Sequence, residues 1–334
     1  MNISIDQPKR HVTIVDMNWL KPVLVLAEED DKQLESLESI PHTLGSDAAA
    51  FADAAVSATA ILNWSGSRKL LRAVFAMCPN VIWVHSRSAG LDSILFPELV
   101  ESDATLTNSR GVFSASLGEF VLGAILYFAK DFPRMLRKQS AGIWQPFGVE
   151  VIAGQTAGIV GYGDIGREVA VRLHAMGMHI LAVKRQIPQK QDLLIQHFYT
   201  PKTLRQMLLQ CDYVVVTAPL TAETHHMIDE EEFAAMKSSA VVVNVGRGAV
   251  ICESALVRAL TAKKIKGAAL DVFEQEPLPP GHKLFKLENV LLSPHCADNT
   301  PDWKDRAMTF YLDQYVRFEK GVPLKNIVNK RSGY

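Results

Sequence analysis

Cysteine is sparse in this chain, and each residue stands alone. Cys78, Cys211, Cys252 and Cys296 share no CxxC pair and no Cys/His spacing of a metal motif. That argues against a disulfide framework or a zinc module, and for reduced, mostly buried thiols in a reducing compartment. No excess of either charge exists: 35 Lys and Arg stand against 36 Asp and Glu. Without a net field, neither nucleic acid nor an anionic membrane is an expected partner. Long apolar runs are also missing. The longest, Phe120 to Ala129, is too short to cross a bilayer, and Met1 to Met17 has no apolar signal-peptide core. A cytoplasmic protein acting on a small molecule is the expectation. What is present is an ordinary globular composition, 48% hydrophobic and 21% charged over 334 residues, enough for about two domains.

Short apolar runs alternate with helical patterns throughout, which predicts parallel α/β sheets. Val23–Leu26, Ala60–Leu62, Val81–Val84 and Thr105–Thr107 read as strands in the first third, with a helix over Arg68–Met77 and partial helix in the Ala-rich 48–60. Ser114–Lys130 reads as one long buried helix with Ser114 as N-cap, able to link two domains. Next, Thr156–Val160 leads into Gly161-Tyr162-Gly163-Asp164-Ile165-Gly166, a helical segment from Ile165 to Met176, and a second apolar run, His179–Val183. Strand, glycine turn, helix and strand in about 30 residues form a dinucleotide-binding βαβ unit. The first glycine permits the turn, the second admits a pyrophosphate to the backbone, and the third lets helix pack on strand. Free N–H groups at the helix start then face the phosphates.

Four further strands are predicted at Tyr213–Thr217, Ala240–Val245, Gly267–Leu270 and Val290–Leu292, with helices at 204–209, 230–237 and 254–262. That makes six strands in this sheet. A last helix, Pro301–Glu319, precedes a tail too small to fold alone, so it is expected to return to the first domain. The predicted division is residues 1–111 with 300–334 as a discontinuous substrate domain, and 112–299 as the nucleotide domain.

Three polar clusters follow predicted strands, where ligands bind in open α/β sheets. They are Gly246-Arg247-Gly248, Asp271 through Glu276-Pro277, and Ser293-Pro294-His295. An arginine between glycines can clamp a carboxylate through two parallel hydrogen bonds. A histidine with a carboxylate partner can serve as general acid and base. Singly, Arg247 could cap a loop, Glu276 could be solvated and His295 could be a turn residue; it is their convergence that points to a site. His225-His226 shows no metal spacing and reads as surface, and Cys296 as packing. Trp83 reads as core; Trp144 and Trp303 could line a pocket or an interface.

In this order, GxGxxG, Asn-Val-Gly-Arg-Gly, Asp-Val-Phe-x-x-Glu-Pro-Leu-Pro and Ser-Pro-His resemble the D-isomer-specific 2-hydroxyacid dehydrogenases over nearly the whole chain. Thr217 to Thr224 is similar to the family's Pro-Leu-Thr-x-x-Thr segment, and Ser88-Ala89-Gly90-Leu91-Asp92 to its substrate loop. The resemblance implies a Rossmann nucleotide domain beside a flavodoxin-like substrate domain, both doubly wound, closing a cleft on the ligand. It implies catalysis by Arg247, Glu276 and His295. Arg247, with Ser88, Ala89 and Gly90, would bind the acid. His295 would donate a proton to the carbonyl oxygen on reduction, with Glu276 favouring the imidazolium. Cofactor contacts would come from Gly161, Gly163, Asp164, Ile165, Gly166, Pro219, Thr224, Val245, Asp271 and His295. No metal is implied. Members commonly form homodimers through an arm like Phe132–Phe147.

An NAD site wants a carboxylate roughly 20 residues beyond the glycines, for the ribose 2′-OH. Here Lys184 stands 18 residues past Gly166, followed by Arg185. Two cations suit a 2′-phosphate, so NADP(H) is expected over NAD(H), and reduction of a small 2-oxo acid of glyoxylate or hydroxypyruvate type is the expected reaction. The same pair could instead be exposed surface charge. An NAD-linked relative acting on another acid, or a dinucleotide-sensing corepressor-like protein, are the alternatives.

Overall fold

The computed structural model describes residues 21–28 and 30–333; the expectation for Met1 to Met17 lies outside these residues. Two parallel sheets organise the chain. The first contains β1 (Val23–Leu26), β2 (His42–Gly45), β3 (Ala60–Asn63), β4 (Trp83–Ser86) and β5 (Thr105–Asn108), in spatial order β2-β1-β3-β4-β5. This is the doubly wound flavodoxin-like order. Its helices are α1 (Arg68–Phe75), capped by the Ser67 hydroxyl accepting from Leu70 N at 3.2 Å, and α2 (Pro97–Glu101).

The second sheet is built by β6 (Thr156–Val160), β7 (His179–Val183), β8 (His197–Tyr199), β9 (Tyr213–Val216), β10 (Val241–Asn244), β11 (Gly267–Leu270) and β12 (Val290–Leu292). Their order is β12-β11-β10-β9-β6-β7-β8, the Rossmann arrangement with the chain reversing between β6 and β9. Its helices include α3 (Ser114–Ala129), α5 (Asp164–Ala175), α6 (Leu204–Leu208), α7 (Glu230–Ala235) and α8 (Glu253–Thr261). Leu117, Val121, Ile125 and Phe128 of α3 meet Val169, Ala170 and Leu173 of α5 over one face of this sheet. Short α4 (Phe132–Ser140) follows α3, and α9 (Trp303–Glu319) closes the chain. Ala307, Met308, Tyr311 and Tyr315 of α9 pack on β1, β3 and β4 of the first sheet, and an antiparallel bridge joins Ile327 to Thr107.

Four expectations need correction. The second sheet has seven strands rather than six, because β8 is a three-residue edge strand at His197–Tyr199 with no aliphatic run. Edge strand β2 was likewise not evident, since only Leu44 among its four residues is aliphatic. Strand β4 lies two residues later than the apolar run Val81–Val84, because it ends on buried His85 and Ser86. His85 is satisfied there by Thr107 Oγ1 at 2.8 Å and Ser109 Oγ at 3.3 Å, and burial pushes its pKa down to about 3, so the ring is neutral. Finally, Ser114 is not the N-cap of α3; Phe113 holds that position, and the Ser114 hydroxyl donates to Asp164 instead.

Candidate active site

The carboxyl ends of the two sheets supply the site. In the first sheet, Asn63, Ser86 and Asn108 stand in register at the ends of β3, β4 and β5. The Ser86 hydroxyl accepts from Ser88 N at 3.2 Å, and Asn108 Nδ2 donates to the Ala89 carbonyl at 2.6 Å. The Ser88-Ala89-Gly90 loop is thus pinned from both neighbouring strands. Trp83, below it, is core: its indole donates to Thr107 at 2.9 Å. Trp303 lies against the Arg87 guanidinium at 5.5 Å.

In the second sheet, β10 ends at buried Asn244, whose side chain shapes the following turn. Its Oδ1 accepts from Gly246 N at 3.1 Å, and its Nδ2 donates to the Arg247 carbonyl at 3.1 Å. The Arg247 side chain then reaches back to the first domain. Its Nε donates to Asp92 Oδ1 at 2.9 Å and its Nη1 to the Gly246 carbonyl at 2.8 Å. A Cβ on Gly90 would sit 1.5 Å from Arg247 Nη2. Only glycine lets the guanidinium lie directly on the loop, so Ser88–Gly90 and Arg247 are brought together as expected.

Glu276 and His295 also meet, with His295 Nδ1 2.6 Å from Glu276 Oε2. A carboxylate only accepts, so the proton between them resides on Nδ1. The other Glu276 oxygen accepts from Phe273 N at 2.9 Å, fixing the carboxylate within its own loop. His295 adopts a left-handed backbone, φ 51°, which costs a non-glycine residue about 1 kcal/mol or more. Asp271, at the end of β11, compensates. Its carbonyl accepts from His295 N at 2.9 Å, while Oδ1 receives Ser293 Oγ at 2.5 Å, Cys296 N at 2.9 Å and Ala297 N at 3.0 Å. Much of Asp271's buried carboxylate therefore holds the His295 turn. Asp298 completes the group; burial and the nearby Asp271 charge push its carboxyl above the usual range, against the pull of His295 and Arg247.

The nucleotide side begins at the glycine turn. Gly161 has φ +99°, and a Cβ there would meet the Ala218 backbone at 2.6 Å. Thr217 Oγ1 donates to the Gly161 carbonyl at 2.5 Å, tying β9 to the turn. Gly166 fits against the Gly161 carbonyl, where a Cβ would lie at 2.6 Å. By contrast, a Cβ on Gly163 would meet nothing within 4 Å, and Gly163 starts α5 without a side-chain cap. This open cradle over uncapped first-turn amides fits a pyrophosphate. Asp164 turns its carboxylate to Ser114 and Ile165 packs toward the core, so any phosphate contact from these two falls to their backbone. Pro219 and Thr224 form a closed turn, with the Thr224 hydroxyl donating to the Pro219 carbonyl at 2.6 Å. Val245 is buried beneath the Gly246-Arg247 turn.

Beyond Gly163 opens a cleft of about 810 Å³, lined by Arg110, Tyr162, Arg167, Lys184, Lys190 and Asp192 among others. Lys184 Nζ lies 5.8 Å from the Tyr162 ring centre. Arg185 is turned toward Glu223, 3.6 Å away, so the two cations of the pair part company. The cleft also contains a carboxylate that the β7 end does not reveal. Asp192 accepts from the Tyr162 hydroxyl at 2.7 Å and from Leu194 N at 3.0 Å. Burial alone would raise its pKa, but the Leu194 amide, Tyr162, Arg167 and Lys184 together hold it below the usual range.

Asp92, Asn108, Asn244 and Ser293 support this site without having been recognised from sequence. Asp92, Asn244 and Ser293 lie inside the quoted motifs, but nothing in their spacing announces partners such as Arg247, 155 residues from Asp92. Cys296 is exposed rather than packed. His226 is not a partnerless surface residue: its Nε2 lies 2.8 Å from Glu274 Oε1.

A doubly wound sheet whose glycine turn opens on a basic cleft places the protein among the dinucleotide-dependent dehydrogenases. Residues 122–297, more than half of the chain, match the family described as D-isomer specific 2-hydroxyacid dehydrogenase, NAD binding domain. A glyoxylate reductase of Korarchaeum cryptofilum is 36% identical over 267 residues, 77% of this chain and 79% of that protein. A D-3-phosphoglycerate dehydrogenase of Methanocaldococcus jannaschii is 31% identical over 264 residues, 78% of this chain but 50% of that one. The crystal structure of an NADPH-dependent glyoxylate/hydroxypyruvate reductase from Sinorhizobium meliloti, in complex with NADP and sulfate, superimposes with a TM-score of 0.81 at 25% identity, covering 94% of this chain and 100% of that one. The chain belongs to the D-isomer specific 2-hydroxyacid dehydrogenase family. It is an NAD(P)-dependent oxidoreductase acting on the CH–OH group of 2-hydroxy acids.

Proposed function

We propose that this enzyme reduces a small 2-oxo acid of glyoxylate or hydroxypyruvate type to the D-2-hydroxy acid, preferring NADPH. The observation that carries the cofactor preference is the concentration of Arg167, Lys184 and Lys190 along one cleft beyond the glycine turn. Asp192 is the countervailing charge, but its oxygens are engaged by Tyr162 and Leu194. The substrate class draws on the similarity to proteins described as glyoxylate reductases. We take residues 1–111 with 300–334 as the substrate domain and 112–299 as the nucleotide domain, consistent with α9 packing on the first sheet.

Bound nicotinamide supplies the hydride; the protein supplies position and a proton. Arg247 would clamp the carboxylate of the acid by two N–H groups, on a floor made by Ser88, Ala89 and Gly90. His295, its Nδ1 proton held by Glu276, would present Nε2 to the 2-oxo oxygen and deliver a proton there. Asp271, with the Val245 carbonyl, would orient the carboxamide of the nicotinamide, while its Oδ1 keeps the His295 turn in place. The charge cluster excludes no direction; the reverse oxidation uses His295 as base.

The decisive measurement is kcat/KM with NADPH and with NADH over a panel of 2-oxo acids, repeated on Lys184→Asp. Losing one charge-assisted phosphate contact, about 1.5–3 kcal/mol, is expected to lower NADPH efficiency roughly 10- to 100-fold while sparing NADH. Equal use of both cofactors by the parent enzyme would overturn the preference.

We also infer a homodimer joined through the segment after α3. Leu136, Ile143 and Trp144 are exposed there, Trp144 at 99%, and contiguous exposed apolar surface marks association sites. Leu136→Arg is expected to shift the sedimentation coefficient from dimer to monomer; a parent protein that sediments as a monomer removes this reading.

A further inference from the structure

We propose that His226, Cys252 and Glu274 form a site for a divalent transition ion of zinc type, separate from the nucleotide and acid sites. The three residues come from different segments: the turn before α7, the position preceding α8, and the loop after β11. One ligand atom from each lies within 4.8 Å of the others. Imidazole nitrogen, thiolate and carboxylate oxygen are a set that zinc accepts, at about 2.0–2.3 Å from the ion. Tetrahedral angles then place the ligand atoms roughly 3.3–3.8 Å apart. The His226–Glu274 pair at 2.8 Å must open by about half an ångström, and the ion takes the place of the proton between them. The thiolate favours zinc or cobalt over magnesium or calcium.

The surroundings are those of supported ligands. His226 sits in a left-handed backbone, φ 51°, with its backbone N–H donated to the Ala249 carbonyl at 2.8 Å, and His225 stacks on its ring at 3.9 Å. Glu253 exchanges backbone bonds with Glu274, N to Oε1 at 2.9 Å and Oε2 from N at 3.3 Å. Its own Oε1 lies 3.3 Å from His282 Nε2. Glu253, itself paired with His282, thus holds the Glu274 backbone in place. Capping α8 explains the Glu274 carboxylate alone; it does not call for an imidazole and a thiol beside it. Both His226 and Glu274 side chains are about one-third exposed, 34% each, so an ion can enter and a water can fill the fourth position. The separations in sequence, 26 residues from His226 to Cys252 and 22 on to Glu274, conceal the set.

The location gives the site a consequence. Glu274 is two residues before Glu276, and a Cβ on Gly248 would lie 1.9 Å from the Phe273 carbonyl carbon. The turn after Arg247 and the loop before Glu276 are therefore in direct backbone contact, and an ion on Glu274 and Cys252 clamps both.

The test is a cobalt(II) titration of the chelator-stripped full-length protein, in a Cys296→Ala background so that the exposed thiol beside His295 cannot compete. One equivalent is expected to produce a thiolate-to-cobalt charge-transfer band that zinc displaces, and zinc should protect Cys252 from alkylation. Cys252→Ala should abolish the band, and His226→Gln should weaken zinc binding roughly 10- to 100-fold. The thermal midpoints of these variants in chelator should match the parent, showing that loss of metal is not loss of fold. No band in the parent, or a band that survives Cys252→Ala, overturns the proposal. Neither result bears on the 2-oxo acid reading, which rests on other residues.

Discussion

His295→Asn is expected to lower kcat for the 2-oxo acid by about 10²–10⁴-fold, the usual contribution of a positioned general acid. Asparagine keeps a group of similar width in the turn and can still donate to Glu276, but it has no second titrating nitrogen. The left-handed backbone also favours asparagine over most residues, so the variant should fold. Nucleotide affinity should fall far less than kcat, because His295 is one cofactor contact among many and the phosphate cradle lies at Gly161–Gly166, in another turn. Glu276→Gln probes the orienting partner separately. An amide can present either oxygen or nitrogen to Nδ1, so the ring loses its fixed tautomer and kcat should fall by a smaller factor, with an altered pH profile. Retention of full kcat by His295→Asn would remove the histidine from the proton-transfer role. Stopped-flow single turnovers at saturating nucleotide separate this step from product release.

The sequence makes the buried parallel strands legible because valine runs such as Val214–Val216 and Val241–Val243 admit few other readings. It says less where a strand is short and half exposed, as in β2 and β8, or where a strand ends on buried polar residues, as His85 and Ser86 do in β4. The same division holds at the site. Arg247, Glu276 and His295 stand out because each belongs to a polar cluster that follows an apolar strand run. Their supports do not. Asp92 is one polar residue among many until folding sets it 2.9 Å from Arg247, and nothing local to Asp271 announces its second task, in which Oδ1 receives three donors from residues 293, 296 and 297. Lys184-Arg185 shows the converse. Adjacent in sequence, they diverge in space, one over Tyr162 and the other toward Glu223, while Arg167 and Lys190 join Lys184 in the cleft. Charge at a site is a property of which side chains converge, and a local reading misses those that arrive from elsewhere.

Arg247→Ala carries the largest expected loss in kcat/KM. A hydrogen bond to a charged group contributes about 1.5–3 kcal/mol, and two of them in a fork contribute roughly 3–6, or about 10²–10⁴-fold in kcat/KM. The variant also strands Asp92, whose carboxylate then faces the acid and repels it. Arg247→Lys keeps the charge but not the planar fork, and it should recover only part of the loss. Gly90→Ala separates position from chemistry. Its methyl group would fall 1.5 Å from Arg247 Nη2, so the guanidinium must leave the Ser88–Gly90 floor although every one of its donors remains. A displacement of about 1 Å can cost on the order of 10²-fold, and it should appear chiefly in KM for the acid, with KM for the nucleotide unchanged. The three variants should therefore rank Arg247→Ala below Gly90→Ala and Arg247→Lys in kcat/KM. Near-parent kcat/KM in Arg247→Ala would show that the carboxylate is held elsewhere, and would shift the acid-binding role to Arg87, which precedes the Ser88–Gly90 loop and lies between Trp64 and Trp303.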